Sequence, residues 1–293
     1  MLAPDLLDSA RTIAPGIVSL RRAIHAEPEL GLDCPKTMAK VREALADLPL
    51  AWRSGPSTSG AVATLVGSRA DESALREPRR VLLRGDMDAL PMEEKTGLDF
   101  ASSIAGRMHA CGHDTHTAML AGAARMLCER QGEFSGTVDF MFQPGEEGHH
   151  GARFMLEDGL IDPLPDAAFA LHVMPNAQHG VLAGKPGALM AAADQFTITV
   201  RGRGGHASMP HDCADPVPAT AALVAALQTM VTRRFDSASA VVVTVTQIHT
   251  GTAHNVIPDE AMVAGTIRTL SPEHRARALE LVAATARDRK SVV

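Results

Sequence analysis

The residues best suited to chemistry lie in His109-Ala110-Cys111-Gly112-His113-Asp114-Thr115-His116, which holds three imidazoles, a thiol and a carboxylate. Nitrogen and sulfur donors packed this densely suit a transition metal such as Zn²⁺, Mn²⁺ or Co²⁺. Gly112 lets the backbone turn tightly, so Cys111 and His113 can reach one point. Taken alone, the stretch reads equally well as a polar loop with a buried cysteine. The rest of the chain decides between the two. Asp86 and Asp88 follow the apolar run Val81–Leu83, Glu146 and Glu147 follow Thr137–Phe142, and His172 ends the run Ala167–Val173. Each run reads as a strand. Metal-competent groups recurring at strand ends point to a mononuclear or dinuclear metal hydrolase site on the C-terminal edge of an α/β sheet. Adjacent carboxylates repel unless a cation or proton intervenes. One of the Glu146/Glu147 pair can ligate a metal while the other serves as general base.

The elements that must position these groups follow from periodicity. Leu6, Ile13, Ile17, Leu20 and Ile24 recur at helical spacing, which predicts a helix over 5–26, with Arg21, Arg22 and His25 in its last turns and Pro28 after it. A second helix is expected over 36–47, a strand over 61–66, a surface loop over 67–80 and a small-residue helix over 117–130. The Gly-rich stretch 180–187 reads as a hinge, and beyond it the pattern restarts. Strands are expected over 195–200, 240–248 and 261–269, and helices over 215–232 and 271–287. Asp215 and Ser271 are placed as N-caps, each followed by a proline. The expected organisation is therefore a catalytic domain over 1–183 and a smaller α+β domain over 184–293.

Bulk properties exclude several functions. The chain has 293 residues, 45% of them hydrophobic and 21% charged, with a net charge of −6. That composition is globular and carries no electrostatic footprint for nucleic acid. No apolar run reaches the roughly 20 residues needed to cross a bilayer, so no membrane partner is expected. The N-terminus lacks the basic and apolar regions of a signal peptide. The four cysteines form no CxxC pair, which fits a reduced, cytoplasmic compartment.

Arg22–Leu30, Arg84–Pro91, His109–Thr117, Phe142–Gly148, Ala170–Val173, Gly205–Ser208 and His254–Asp259, in this order, resemble the metal-dependent amidohydrolase family of hippurate hydrolase, N-acyl amino acid amidohydrolases and plant auxin-conjugate hydrolases. The resemblance implies a catalytic domain with a mixed sheet flanked by helices, like that of the zinc peptidases, carrying an inserted α+β lid and dimerisation domain. It implies Cys111, His113, Glu147 and His172 as ligands of divalent metal ions (Mn²⁺, Zn²⁺, Ni²⁺ or Co²⁺), two per subunit. It makes Glu146 the base that deprotonates the attacking water and later protonates the leaving amine. Asp88 becomes the carboxylate that orients a ligand. His206 would reach across a homodimer to stabilise the oxyanion, and Asn255 and Arg268 would bind the substrate's α-carboxylate. His109 and His116 are left with supporting roles, and Asp114 with capping the following helix or holding a ligand histidine. In the wider superfamily the position of Asp86 is often a metal-binding histidine.

The family takes a last histidine ligand from near its C-terminus, and no histidine here fits that role. Residues 288–293 break the apolar pattern of the preceding helix and match the translation of a common sequencing-adapter sequence. The expectation is a C-terminally shortened chain. Within the same superfamily the alternative activity is that of a peptidase, a carboxypeptidase or an N-acetyl- or succinyl-diaminopimelate-type deacylase, and two functions of other kinds compete with the metal hydrolase. One is a thiol enzyme with Cys111 as nucleophile and His109 or His113 as base. The other is an inactive metal-binding dimerisation module.

Overall fold

The computed structural model describes residues 4–70 and 79–288, with side chains over 5–70 and 79–287. Part of the loop expected at 67–80 and nearly all of the 288–293 tail lie outside the described residues. The chain divides into two units, one through Ala177 and one from Gln178.

The first unit contains α1 (Pro4–Ala26), α2 (Pro35–Ala44), β1 (Ala51–Ser54), β2 (Ala61–Val66), β3 (Arg80–Asp86), α3 (His113–Glu129), β4 (Thr137–Gln143), α4 (Gly151–Glu157) and β5 (Ala167–Ala170). Its sheet runs β1-β2-β4-β3-β5. β2 is antiparallel to β1 and β4, while β3 is parallel to both β4 and β5. The sheet is therefore mixed, with helices on both faces, as expected. Alternation along β4 sends Phe140 and Phe142 to the face packed by α1, α2 and α3. Met141 goes to the other face, against Met155, Leu160 and Ile161. The α1 stripe points inward, with Leu20 and Ile24 buried. Gly122 of α3 lets Ile17 approach closely: a Cβ there would meet Ile17 at 3.3 Å.

Several expected boundaries move. α2 stops at Ala44, and Leu45 turns out of the helix. α3 begins four residues earlier than expected, because the amides of Thr115 and His116 both bond the Gly112 carbonyl. β5 ends at Ala170, so His172 stands just beyond the strand and not within it. β1 and α4 were not foreseen. β1 is only four residues long, and α4 starts from His150 in the left-handed region (φ 56°), where glycine is the usual residue.

Charged groups pin the layers. Asp139, on β4 and 1% exposed, accepts from Arg80 at 2.6 Å, Arg53 at 3.3 Å and Thr64 at 2.5 Å. Glu29 caps α2 from outside the helix. It accepts from the amides of Lys36 (3.1 Å) and Thr37 (2.8 Å) and from the Thr37 hydroxyl (2.9 Å). Replacing Glu29 with alanine strands these donors in a buried site and is expected to cost about 2 kcal/mol. The loss is read as a lower urea midpoint with an unchanged slope.

The second unit contains β6 (Ala192–Arg201), β7 (Gly205–His206), α5 (Pro216–Arg234), β8 (Val241–Thr250), β9 (Val256–Ile257), β10 (Glu260–Thr269) and α6 (Pro272–Asp288). β10 lies between β6 and β8, antiparallel to both. Leu223 and Leu227 of α5 and Ala278 and Val282 of α6 pack on Val243 and Ile267. Both N-caps hold: Asp215 accepts from the Val217 amide at 2.9 Å and Ser271 from the His274 amide at 3.1 Å. β7 and β9 form a separate two-residue ladder, too short to show in the hydrophobic pattern. Among the described residues, no helix is long and apolar enough to cross a membrane.

Candidate metal centre

Parallel pairing gathers the predicted site. Asp86 at the end of β3 is in register with Gln143 at the end of β4, and Arg84 with Ala170 at the end of β5. The loops that leave these three strands therefore start from one edge, the edge at which α/β sheets build sites. The turn into α3 supplies Cys111 and His113.

Ligand atoms of Cys111, His113 and His172 lie within 4.8 Å of one another, and so do those of His113, Glu146 and Glu147. All four residues expected as ligands, and the expected base, fall into these two groups, which share His113. His113 is fully buried, and neither ring nitrogen has a hydrogen-bond partner among the described residues. Its Nδ1 is 3.5 Å from Asp88 Oδ1, and its Nε2 is 3.5 Å from Asp86 and 3.9 Å from Glu146. A buried imidazole without partners, surrounded by carboxylates, is costly unless something compensates it. A divalent cation does so while relieving the crowding of negative charge. The donor set of thiol, imidazoles and carboxylates suits Zn²⁺, Mn²⁺, Ni²⁺ or Co²⁺, so the residues fit the group.

The electrostatics agree. Burial, and then the charge of Glu147, push the Cys111 thiol up to about 12. Burial and Glu147 also raise Glu146 above the ordinary glutamate range. A nucleophilic cysteine needs the opposite, a thiol lowered by positive neighbours. The histidine within hydrogen-bond distance of Cys111 Sγ is His172, with Nε2 at 3.4 Å, and not the His109 or His113 that a thiol enzyme would use. His109 is buried with both nitrogens unpartnered among the described residues, and burial lowers it to about 4.

The supporting groups are well defined. Asp88 accepts from the amides of Glu146 (2.9 Å) and Glu147 (3.0 Å), which fixes the acidic turn to the end of β3. Burial opposes its charge, but His113 and these two amides outweigh burial and hold its carboxyl below the usual range. Asp86 is likewise desolvated, yet His116, His113 and Arg84 bring it to about 2. The expectation for Asp114 needs correction. Gly112 occupies the N-cap position of α3, and Asp114 Oδ2 instead meets His25 Nδ1 at 2.7 Å and Arg21 Nε at 2.6 Å. The carboxylate anchors α1 to the base of the site. This pairing spans most of a hundred residues of sequence, so no local signal could have revealed it. His25, whose other nitrogen is 3.2 Å from Glu94, is a supporting residue that sequence reasoning left without a role.

His206, Asn255 and Arg268 belong to the second unit. The β7–β9 ladder pairs His206 with Val256, and the Ala207 amide bonds the Asn255 carbonyl at 3.0 Å, so His206 and Asn255 are neighbours. The Ser208 amide donates to His206 Nδ1 at 3.2 Å. In a neutral ring the proton is then on Nε2, leaving an outward donor. Arg268 is exposed on β10, on the face opposite the helices, and no hydrogen bond links it to the other two among the described residues.

This arrangement has counterparts among known proteins. N-acetylcysteine deacetylase of Bacillus subtilis is 38% identical over 275 residues, covering 92% of this chain and 70% of that protein. Thermostable carboxypeptidase 1 of Saccharolobus solfataricus is 39% identical over 280 residues, covering 94% of this chain and 69% of that one. The crystal structure of a Bacillus subtilis dinuclear metal-binding peptidase of the M20 family superposes with a TM-score of 0.76 at 34% identity, covering 96% of this chain and 71% of that one. The model of peptidase family M20/M25/M40 matches residues 82–277, a span that holds all the donors described above. The chain belongs to the peptidase family M20/M25/M40.

Proposed function

We propose that this metal-dependent amidohydrolase cleaves the amide bond of N-acyl amino acids, releasing a carboxylic acid and a free amino acid. The observation that carries the reading is the pair of donor groups, one of them containing the half-exposed Glu146, that meet at a buried His113 without a hydrogen-bond partner among the described residues. Cys111, His113, Glu147 and His172 would hold two divalent ions per subunit, a reading supported by the dinuclear metal-binding relative. When bound, such ions polarise the scissile carbonyl and acidify water. Glu146 takes the proton of the attacking water and returns it to the leaving amine. Its raised affinity for protons suits both tasks. Asp88 keeps Glu146 and Glu147 in place through their amides. His206 donates from Nε2 to the developing oxyanion. Asn255 and Arg268 bind the α-carboxylate of the amino acid, for which a guanidinium gives two parallel hydrogen bonds. A homodimer formed through the second unit and a cytoplasmic setting complete the reading; the four free cysteines support the latter.

The acyl group is set by an assay. A panel of acetyl, benzoyl, succinyl and indole-acetyl amino acids, together with peptides that have a free N-terminus, is incubated with the chain. Release of free amino acid from at least one N-acyl substrate is the expected result. Release only from peptides with a free N-terminus would replace the proposal with a peptidase. A second reading, a carboxypeptidase, is favoured by the name of the Saccharolobus relative; acyl dipeptides in the same panel separate it.

A further inference from the structure

We propose that His116 is a positioning residue that sets the ring of His172 through the backbone of Val173. The proposal rests on the reading of Cys111 and His172 as metal ligands. His116 is buried on the first turn of α3, and its Nε2 accepts the Val173 amide at 2.9 Å. A backbone amide can only donate, so the ring proton is on Nδ1, which donates to Asp86 Oδ1 at 2.7 Å. Asp86 is held in turn. Arg84 Nη1 donates to its other oxygen at 2.6 Å, Arg84 Nε donates to Gln143 at 2.9 Å, and the Thr117 hydroxyl donates to its carbonyl at 2.6 Å. Both nitrogens of His116 are thus committed to protein partners, which argues against His116 as a ligand even though its ring lies near Asp86 and His113.

The other half of Val173 faces the site. Its carbonyl accepts from His172 Nδ1 at 2.7 Å, which leaves His172 Nε2 unprotonated and directed toward Cys111 Sγ, 3.4 Å away. The Val173 side chain sits over Gly112, which is left-handed (φ 88°) and where any Cβ would overlap Val173 Cγ2. The Cys-Gly-His turn and the His172–Val173 segment therefore interlock. His172 is exposed and lies beyond the end of β5, a four-residue strand at the sheet edge. The His116–Val173 bond supplies the fixed point that the strand does not. It ties the tautomer and aim of one ligand to the carboxylate at the end of β3. Partners of this kind fix ring orientation and tune affinity at metal sites.

Cobalt(II) titration of the full chain tests this, read by thiolate-to-cobalt charge-transfer and d–d absorption. Wild type shows the charge-transfer band and Cys111→Ser loses it. His116→Phe keeps the ring shape without polar atoms and is expected to weaken cobalt affinity by about 10–100-fold with altered d–d bands. His116→Gln, whose amide both donates and accepts, is expected to restore most of it. Leu120→Ala, one turn further along α3, lowers the melting temperature with the cobalt spectrum unchanged. Wild-type affinity and spectrum in His116→Phe overturn the positioning role while leaving the metal reading intact. Wild-type binding in Cys111→Ser removes Cys111 from the ligands, and failure of the wild-type chain to bind cobalt overturns the metal reading itself. A direct measurement needs no variant: metal-free protein is expected to show a ¹⁵N–¹⁵N coupling across the hydrogen bond between the Val173 amide and a histidine ring nitrogen. Its absence from a spectrum in which the Val173 amide is resolved overturns the proposal.

Discussion

Glu146→Gln is expected to lower kcat by about 10²–10⁴-fold, the range associated with a positioned general base, while the metal content per chain stays at the wild-type value. Glutamine keeps the size of the side chain and the amide that bonds Asp88, so the turn should hold. What it removes is the basic oxygen 3.9 Å from His113 Nε2. Rate and metal stoichiometry are measured on the same sample. Loss of both together would make Glu146 a ligand and move the base to Glu147, since both carboxylates fall within reach of His113. Glu147→Gln gives the converse, with metal lost along with rate.

The second expected result concerns stability. A ligand that binds only the folded state at about 100 times its Kd adds about 2.7 kcal/mol. For a unit of this size that amounts to roughly 5–10 °C in melting temperature. Wild type is expected to gain this shift on adding Mn²⁺ or Zn²⁺. His113→Ala should not, because His113 is common to both donor groups. The variant is also expected to be less stable than wild type without metal. Asp86 and Asp88, each 1% exposed, would lose the imidazole that helps hold their carboxyls below the usual range. Thermal melts with and without metal, on wild type and variant, separate these two losses. An undiminished shift in His113→Ala would remove His113 from the centre.

Much of this was legible in the sequence for a physical reason. Parallel strands buried on both faces read as short Val/Leu-rich runs, and the groups just past them are where such sheets build sites. The sequence therefore places Asp86, Asp88, Glu146 and Glu147 at strand ends, and it places the N-caps Asp215 and Ser271. The apolar run places His172 inside a strand that in the structure ends at Ala170, because such a run does not mark where pairing stops. The pairing of Asp114 with His25 and Arg21 was not legible, nor was the bond from His116 to Val173. Each depends on contacts between elements far apart in the chain, and periodicity carries no information about those. β7 and β9 escaped because two residues give no period, and α4 because its turn begins from a left-handed histidine.

The most direct measurement is turnover against metal content. The chain is dialysed against a chelator, assayed on the best N-acyl amino acid of the panel, and then titrated with Mn²⁺, Zn²⁺, Ni²⁺ or Co²⁺. Activity is expected to fall with the metal and return with it, reaching its plateau at two ions per chain. Full turnover with no measurable metal, abolished only by alkylating Cys111, would contradict it.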